Sequence, residues 1–389
     1  MRQVLTRAAL LAATALLVAA AKPKEPAAPP PSADPKAVEL IHELALAENP
    51  TASRDLPGWR APKRIVIATG NPNGTSAAQI LEPLKSAAPG VEIIGVANAD
   101  ELAKEAGNAD AIIGGDDAVC DEHVLAAAKR LRWVAVMSAG VESCLGKPAL
   151  ERPGLITTNM RAVAGPVMAE HTIALMFALS RSLQLSVTRQ ATGEGWNRNF
   201  STAPPQALTD KTLLVAGLGG IGTEVARRAH ALGMKVIATR NSSHEGPDFV
   251  SYVGLSDELP TLISQADVVV SALPLVPATT NLFDAKMFAR MKKTAFFINV
   301  GRGGSVVTND LVAALNGGTI AGAGLDVTEP EPLPKDHPLW KAKNVIITPH
   351  MSALSDLGQA ARMMILREQV RRFAAGDKLL SVVDFKKGY

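Results

Sequence analysis

From about residue 60 onward, short apolar runs rich in β-branched residues alternate with segments whose apolar positions recur at helical spacing. Runs at 64–67, 91–96, 111–114, 133–137 and 155–158 predict buried strands, and 76–87, 100–106 and 121–131 predict the helices between them. Strands that alternate with helices at this rhythm make parallel sheets covered on both faces. One long helix is expected over 162–185, after which the pattern begins again. Strands at 212–216, 235–239, 268–271, 294–299, 322–325 and 345–348 follow, with helices between, and a last helix covers 354–375. The expected fold is therefore α/β, with two doubly wound parallel-sheet units in series, the first over 61–160 and the second over 161–348. The tail, 349–389, is expected to return to the first unit, because its helix has no obvious place in the second.

Composition adds limits. Hydrophobic residues make up 47% of the 389 residues, enough for two cores, and aromatics only 4%, so aliphatic side chains must do most of the packing. The net charge of +3 comes with no basic block, so nucleic acid is not an expected partner. Cys120 and Cys144 form no CxxC pair, which excludes a zinc ribbon and a disulfide-built scaffold, and no metal site is predicted. They read as two free thiols, although a single bridge stays open for an exported protein. At the N-terminus, Arg2 and Arg7 precede an apolar run over 8–21 that ends in small residues, the pattern of a secretory signal peptide over 1–21. That run is shorter than the ~20 residues of a spanning helix, so no stable membrane span is expected. The reading implies a periplasmic or secreted protein, or a cytoplasmic one if the leader is not used. Residues 22–60 form a linker and extension, stiff and Pro/Ala-rich over 22–35.

The candidate chemistry begins after the strand at 212–216. Gly217, Gly219 and Gly222, with Leu218, Gly220 and Ile221 between them, make G-x-G-x-x-G between a strand and a helix, the context that a dinucleotide turn requires. The glycines allow a tight turn, a close approach to a pyrophosphate and close helix–strand packing, and the helix N-terminus offers free N–H groups to the phosphates. A carboxylate at the end of the next strand would take the ribose hydroxyls of NAD. Here Arg240 stands there, followed by Asn241 and Ser242, donors suited to a 2′-phosphate. NADP(H) is the expected cofactor, with NAD(H) possible if Arg240 stacks on adenine instead.

Three further polar residues follow strands of the second unit, where open α/β sheets bind ligands: Arg302, Glu331 and His350. Together with Gly217–Gly222, the loop 273–279, Asn299-Val-Gly-Arg302-Gly, Gly324-Leu-Asp326 through Glu331, and Pro349-His350, they resemble the D-isomer-specific 2-hydroxyacid dehydrogenases. The resemblance runs from about residue 60 to the C-terminus, and is nearest to the glyoxylate and hydroxypyruvate reductases through 325–328 and 330–339. It implies a flavodoxin-like substrate domain, a Rossmann dinucleotide-binding domain, a homodimer through the second unit, and a small 2-oxo acid as substrate. By the same resemblance His350 is the general acid, Glu331 orients it, and Arg302 holds the substrate carboxylate and polarises the carbonyl. Glu331 is preferred over the nearby Glu329, because the family's acid lies five residues beyond the position of Asp326. Pro274, Thr279 and Val300 would line the cofactor, with Asp326 on the nicotinamide amide. In the first unit, 137–142 looks like the family's carboxylate-binding turn, with the N–H groups of Ala139 and Gly140 on the substrate. Glu142-Ser143 departs from the Asp-His often found there, which bears on substrate preference. His171 reads as structural, and Trp196 as either a subunit contact or a packing residue. Formate dehydrogenases of the family carry Gln at the Glu331 position, which favours carbonyl reduction. The competing reading is an exported dinucleotide-binding module with little or no turnover. The complete Arg–Glu–His set argues against it.

Overall fold

The computed structural model describes residues 32–70 and 77–388. The signal peptide expected over 1–21, most of the linker after it, and Tyr389 lie outside those residues. Five strands form the first sheet: β1 (Arg64–Ala68), β2 (Glu92–Val96), β3 (Ala111–Gly114), β4 (Trp133–Val136) and β5 (Ile156–Thr158), all parallel in the order β2-β1-β3-β4-β5. That is the flavodoxin-like order. Alternate residues feed opposite layers: Ile65 and Ile67 enter one core, Val66 the other.

Seven strands form the second sheet: β6 (Thr212–Ala216), β7 (Lys235–Thr239), β8 (Tyr252–Gly254), β9 (Val268–Ser271), β10 (Phe296–Asn299), β11 (Gly322–Leu325) and β12 (Val345–Ile347), in the order β12-β11-β10-β9-β6-β7-β8. All its pairings are parallel, and the same alternation holds, with Leu213 and Val215 in one layer and Leu214 and Ala216 in the other. The strand order reverses direction between β6 and β9, which is where such sheets open a crevice for a dinucleotide. Helix Gly165–Ser180 lies on the face of this sheet. The last helix, Asp356–Ala375, packs instead on the first sheet, where Phe373 meets Trp133 at 5.1 Å and Trp59 edge-on at 5.7 Å.

Three expectations need correction. The single helix over 162–185 is two helices, Gly165–Ser180 and Leu183–Thr192, because Ser182 turns left-handed (φ 57°) and gives its hydroxyl to Ala203 O. The helix over 121–131 shrinks to Glu122–Ala127, while Ala128 and Leu131 remain buried in the turn after it. Cys120 and Cys144 are not free thiols: they are bonded to each other, with Cα atoms 5.0 Å apart. The short helix Asp116–Val119, which Cys120 follows, packs against the 3₁₀ turn Glu142–Cys144, and this brings the two buried sulfurs into range. Short β8 was also unforeseen, and the extension contains a helix, Pro35–Glu43, capped by the Asp34 carboxylate on Lys36 N–H at 3.0 Å. Among the described residues no helix is long and apolar enough to cross a membrane.

Candidate active site

The dinucleotide turn is shaped by contacts that only glycine permits. Gly217 has φ +101°, and a Cβ on it would lie 2.9 Å from Ala272 O. A Cβ on Gly222 would collide with Gly217 O, so its absence lets helix Gly220–Ala231 settle against β6. Gly219 is different: a Cβ there would meet nothing within 4 Å, so this glycine faces open space. It is the N-cap of that helix, and no side chain caps the helix start. Free N–H groups and the positive end of the helix dipole therefore face an open position beside the strand-order reversal, a fit for a pyrophosphate. Leu218 is buried below the turn and donates its N–H to Thr239 O, and Ile221 packs on the core.

Across from this turn, Arg240 follows β7, gives Nη1 to Glu245 O at 2.8 Å, and stays partly exposed beside exposed Asn241 and Ser242. On the β9 side, the Thr279 hydroxyl closes the loop by donating to Pro274 O at 2.6 Å and accepting from Val276 N. Val300 is buried, its N–H on Ser271 O.

β10, β11 and β12 are neighbours in register, with Asn299 opposite Leu325 and Leu325 opposite Ile347. The loops carrying Arg302, Glu331 and His350 therefore leave the same edge of the sheet. Buried Asn299 places Arg302: its amide donates to Arg302 O and accepts from Gly301 N. Gly301 and Gly303 flank Arg302 where a Cβ would strike Leu273 and Thr328, so the loop lies flat between its neighbours. The Arg302 Nε–H donates to Glu142 Oε1 at 2.7 Å, a link from the second sheet to the turn after β4 that sequence reading did not foresee.

His350 Nδ1 lies 2.6 Å from Glu331 Oε1, and both side chains are part-exposed (48% and 38%). With Nδ1–H given to the carboxylate, Nε2 is the ring nitrogen left for a ligand. Glu329 has no part in this pair; its carbonyl accepts from the Thr308 hydroxyl. Asp326 is turned inward and buried. Its carboxylate accepts from Met351 N, Ser352 N and the Thr348 hydroxyl at 2.9, 2.9 and 2.6 Å, so it holds the backbone that follows His350. His171 Nε2 is 3.0 Å from the Thr348 hydroxyl. That hydroxyl spends its one proton on Asp326, so His171 must be the donor to it.

In the first unit, the carbonyls of Ala139 and Gly140 accept from Asn159 Nδ2 and Ser138 Oγ. Their N–H groups find no acceptor among the described residues, leaving two donors for an anion. A Cβ on Gly140 would collide with Arg302 Nη2 and Glu142 Oε2, so the guanidinium rests directly on this backbone. Trp196 is 96% exposed.

The family profile for the D-isomer specific 2-hydroxyacid dehydrogenase NAD-binding domain matches residues 173–352. Human glyoxylate reductase/hydroxypyruvate reductase is 34% identical over 60% of this chain and 71% of its own length. The solved structure of a D-isomer specific 2-hydroxyacid dehydrogenase family protein from Aeromonas salmonicida superposes with a TM-score of 0.71 at 33% identity, covering 83% of this chain and 99% of that one. An NADPH-dependent glyoxylate/hydroxypyruvate reductase from Sinorhizobium meliloti, solved with NADP and sulfate, gives 0.69 at 27% identity, covering 84% of this chain and 100% of that one. The chain thus belongs to the D-isomer-specific 2-hydroxyacid dehydrogenase family, and is an NAD(P)-dependent oxidoreductase acting on the CH–OH group of 2-hydroxy acids.

Proposed function

We propose that the chain reduces a small 2-oxo acid of the glyoxylate or hydroxypyruvate kind, with NADP(H) preferred over NAD(H). The observation that carries this reading is the His350–Glu331 pair, set on the same sheet edge as Arg302. The cofactor, when bound, supplies the reducing equivalent that C2 of the oxo acid accepts. Negative charge then builds on the carbonyl oxygen, and His350 Nε2 delivers the proton that quenches it. Glu331 fixes the tautomer and orientation of the ring through its hydrogen bond with Nδ1. Arg302, with the N–H groups of Ala139 and Gly140, takes the substrate carboxylate and polarises the carbonyl. Asp326 acts by bracing the 350–352 backbone.

Gly217, Gly219, Gly220 and Gly222 hold the pyrophosphate against the helix N-terminus. Arg240, Asn241 and Ser242 take the 2′-phosphate, while Pro274, Thr279 and Val300 form the wall nearer the nicotinamide. The absence of a carboxylate at the end of β7 supports NADP(H), and so does the NADP held by the Sinorhizobium meliloti reductase. Trp196, Leu183 and Val187, all exposed, support a homodimer through the second unit. The Cys120–Cys144 bond supports export by the leader, since disulfides persist in oxidising compartments.

The test is oxidation of NADPH and of NADH by leaderless protein with glyoxylate or hydroxypyruvate. Faster loss of NADPH is expected. Equal or faster loss of NADH would overturn the cofactor preference. No turnover by folded, nucleotide-binding protein would leave the exported binding module.

A further inference from the structure

We propose that Glu142 is a built-in carboxylate that competes with the substrate for Arg302 and selects monoanionic 2-oxo acids over dicarboxylic ones. This rests on Arg302 being the residue that takes the substrate carboxylate.

Glu142 opens the 3₁₀ turn after β4, and its Oε1 accepts the Arg302 Nε–H across 160 positions of sequence. The turn is held on both sides of it. Cys144 is bonded to Cys120, and Ser143 N–H donates to Asp116 Oδ2 at 3.2 Å. On the other side, Gly140 lies against Arg302 Nη2 so closely that a Cβ would not fit. Arg302 Nη1 is meanwhile given to Gly301 O at 2.9 Å.

A carboxylate pairs best with a guanidinium through two parallel N–H bonds. The Nε edge of Arg302 is already in use by Glu142. A substrate carboxylate that takes this edge has to displace Glu142, and one that takes the terminal nitrogens sits beside its negative charge. Either way the cost rises with the charge of the incoming anion. Glu142 and Arg302 side chains are 36% and 27% exposed, so the carboxylate has room to swing aside when an anion enters. Glu142 is then a specificity-determining residue, and not merely the support that holds Arg302 in place.

Oxamate and oxalate separate these roles, because they share a shape and differ by one negative charge. Their affinities are measured by calorimetry on NADPH-loaded wild type, Glu142→Gln, Glu142→Ala and Arg302→Gln, each checked for folding by thermal unfolding. Both neutral Glu142 variants should bind oxamate about twofold and oxalate about fivefold more tightly than wild type, the range set by a part-exposed ion pair. Arg302→Gln should weaken both anions. If Arg302→Gln weakens them but the Glu142 variants bind them no better, or bind them worse, Glu142 is only a support and this inference fails while the functional reading stands. If Arg302→Gln leaves anion binding unchanged, the carboxylate role of Arg302 fails and the inference falls with it.

Discussion

The nucleotide cleft and the substrate end of the second sheet lie on one layer of strands, yet they are built from different materials. In the cleft the backbone dominates: Gly217 and Gly222 leave no space for a side chain, Gly219 leaves space open, and the helix start offers uncapped N–H groups. At the proposed substrate end, charged side chains on three adjacent loops take the place of backbone, and two of those loops are braced from behind. Asn299 holds the loop of Arg302, and Asp326 holds the backbone after His350. The cleft also belongs to one unit, whereas at the proposed substrate end Arg302 meets Glu142 and Gly140 from the other.

If that division holds, His350→Ala should lower kcat by about 10²–10⁴-fold, the usual worth of a positioned general acid. NADPH affinity should stay near wild type, because the variant touches nothing at the Gly-rich turn. Turnover close to wild type would break the assignment. Arg240→Asp is the opposite probe, on the cleft side. Removing charge-assisted hydrogen bonds to a 2′-phosphate, worth ~1.5–3 kcal/mol, should shift the NADPH/NADH ratio of kcat/KM about 10- to 100-fold toward NADH. An unaltered ratio would count against the phosphate role.

The smallest effect on chemistry is expected far from both sites, at Glu368. Burial pushes its carboxyl up, but the Arg371 and Arg372 guanidiniums outweigh that and hold it below the ordinary value of 4.5. A carboxylate lowered in the folded state stabilises fully above its unfolded value and loses that contribution as pH falls through the folded one. Glu368→Gln should therefore cost ~1.5–3 kcal/mol of stability at neutral pH, with the gap from wild type closing below about pH 4.5. Denaturant unfolding across that range reads this directly. A gap that persists unchanged in acid would mean the loss is one of packing, not of charge. The cofactor ratio should not move.

The legible parts were those in which local pattern carries the physics. Strands buried on both faces read as continuous apolar runs, as in Val268–Ser271 and Phe296–Asn299, and the glycine spacing at 217–222 sits between a strand and a helix. β8 escaped because it is three residues long and begins at exposed Tyr252. The break at Ser182 escaped because the apolar spacing continues through it, and only one residue's left-handed backbone stops the helix. At the site, Arg302, Glu331 and His350 stand out as polar residues in loops that follow strands, and their proposed roles rest on the family resemblance. The Glu142–Arg302 pair and the Cys120–Cys144 bond were not, since both depend on segments that only folding brings together. The departure of Glu142 from the family's common Asp was the one signal of that pair available in the sequence.

The most direct test is the product itself. Protein lacking residues 1–21 is given hydroxypyruvate and NADPH, and the glycerate formed is resolved by chiral chromatography against the NADPH consumed. D-glycerate in one-to-one amount with oxidised nucleotide is the expected result. L-glycerate, or nucleotide bound with no glycerate formed, would contradict it.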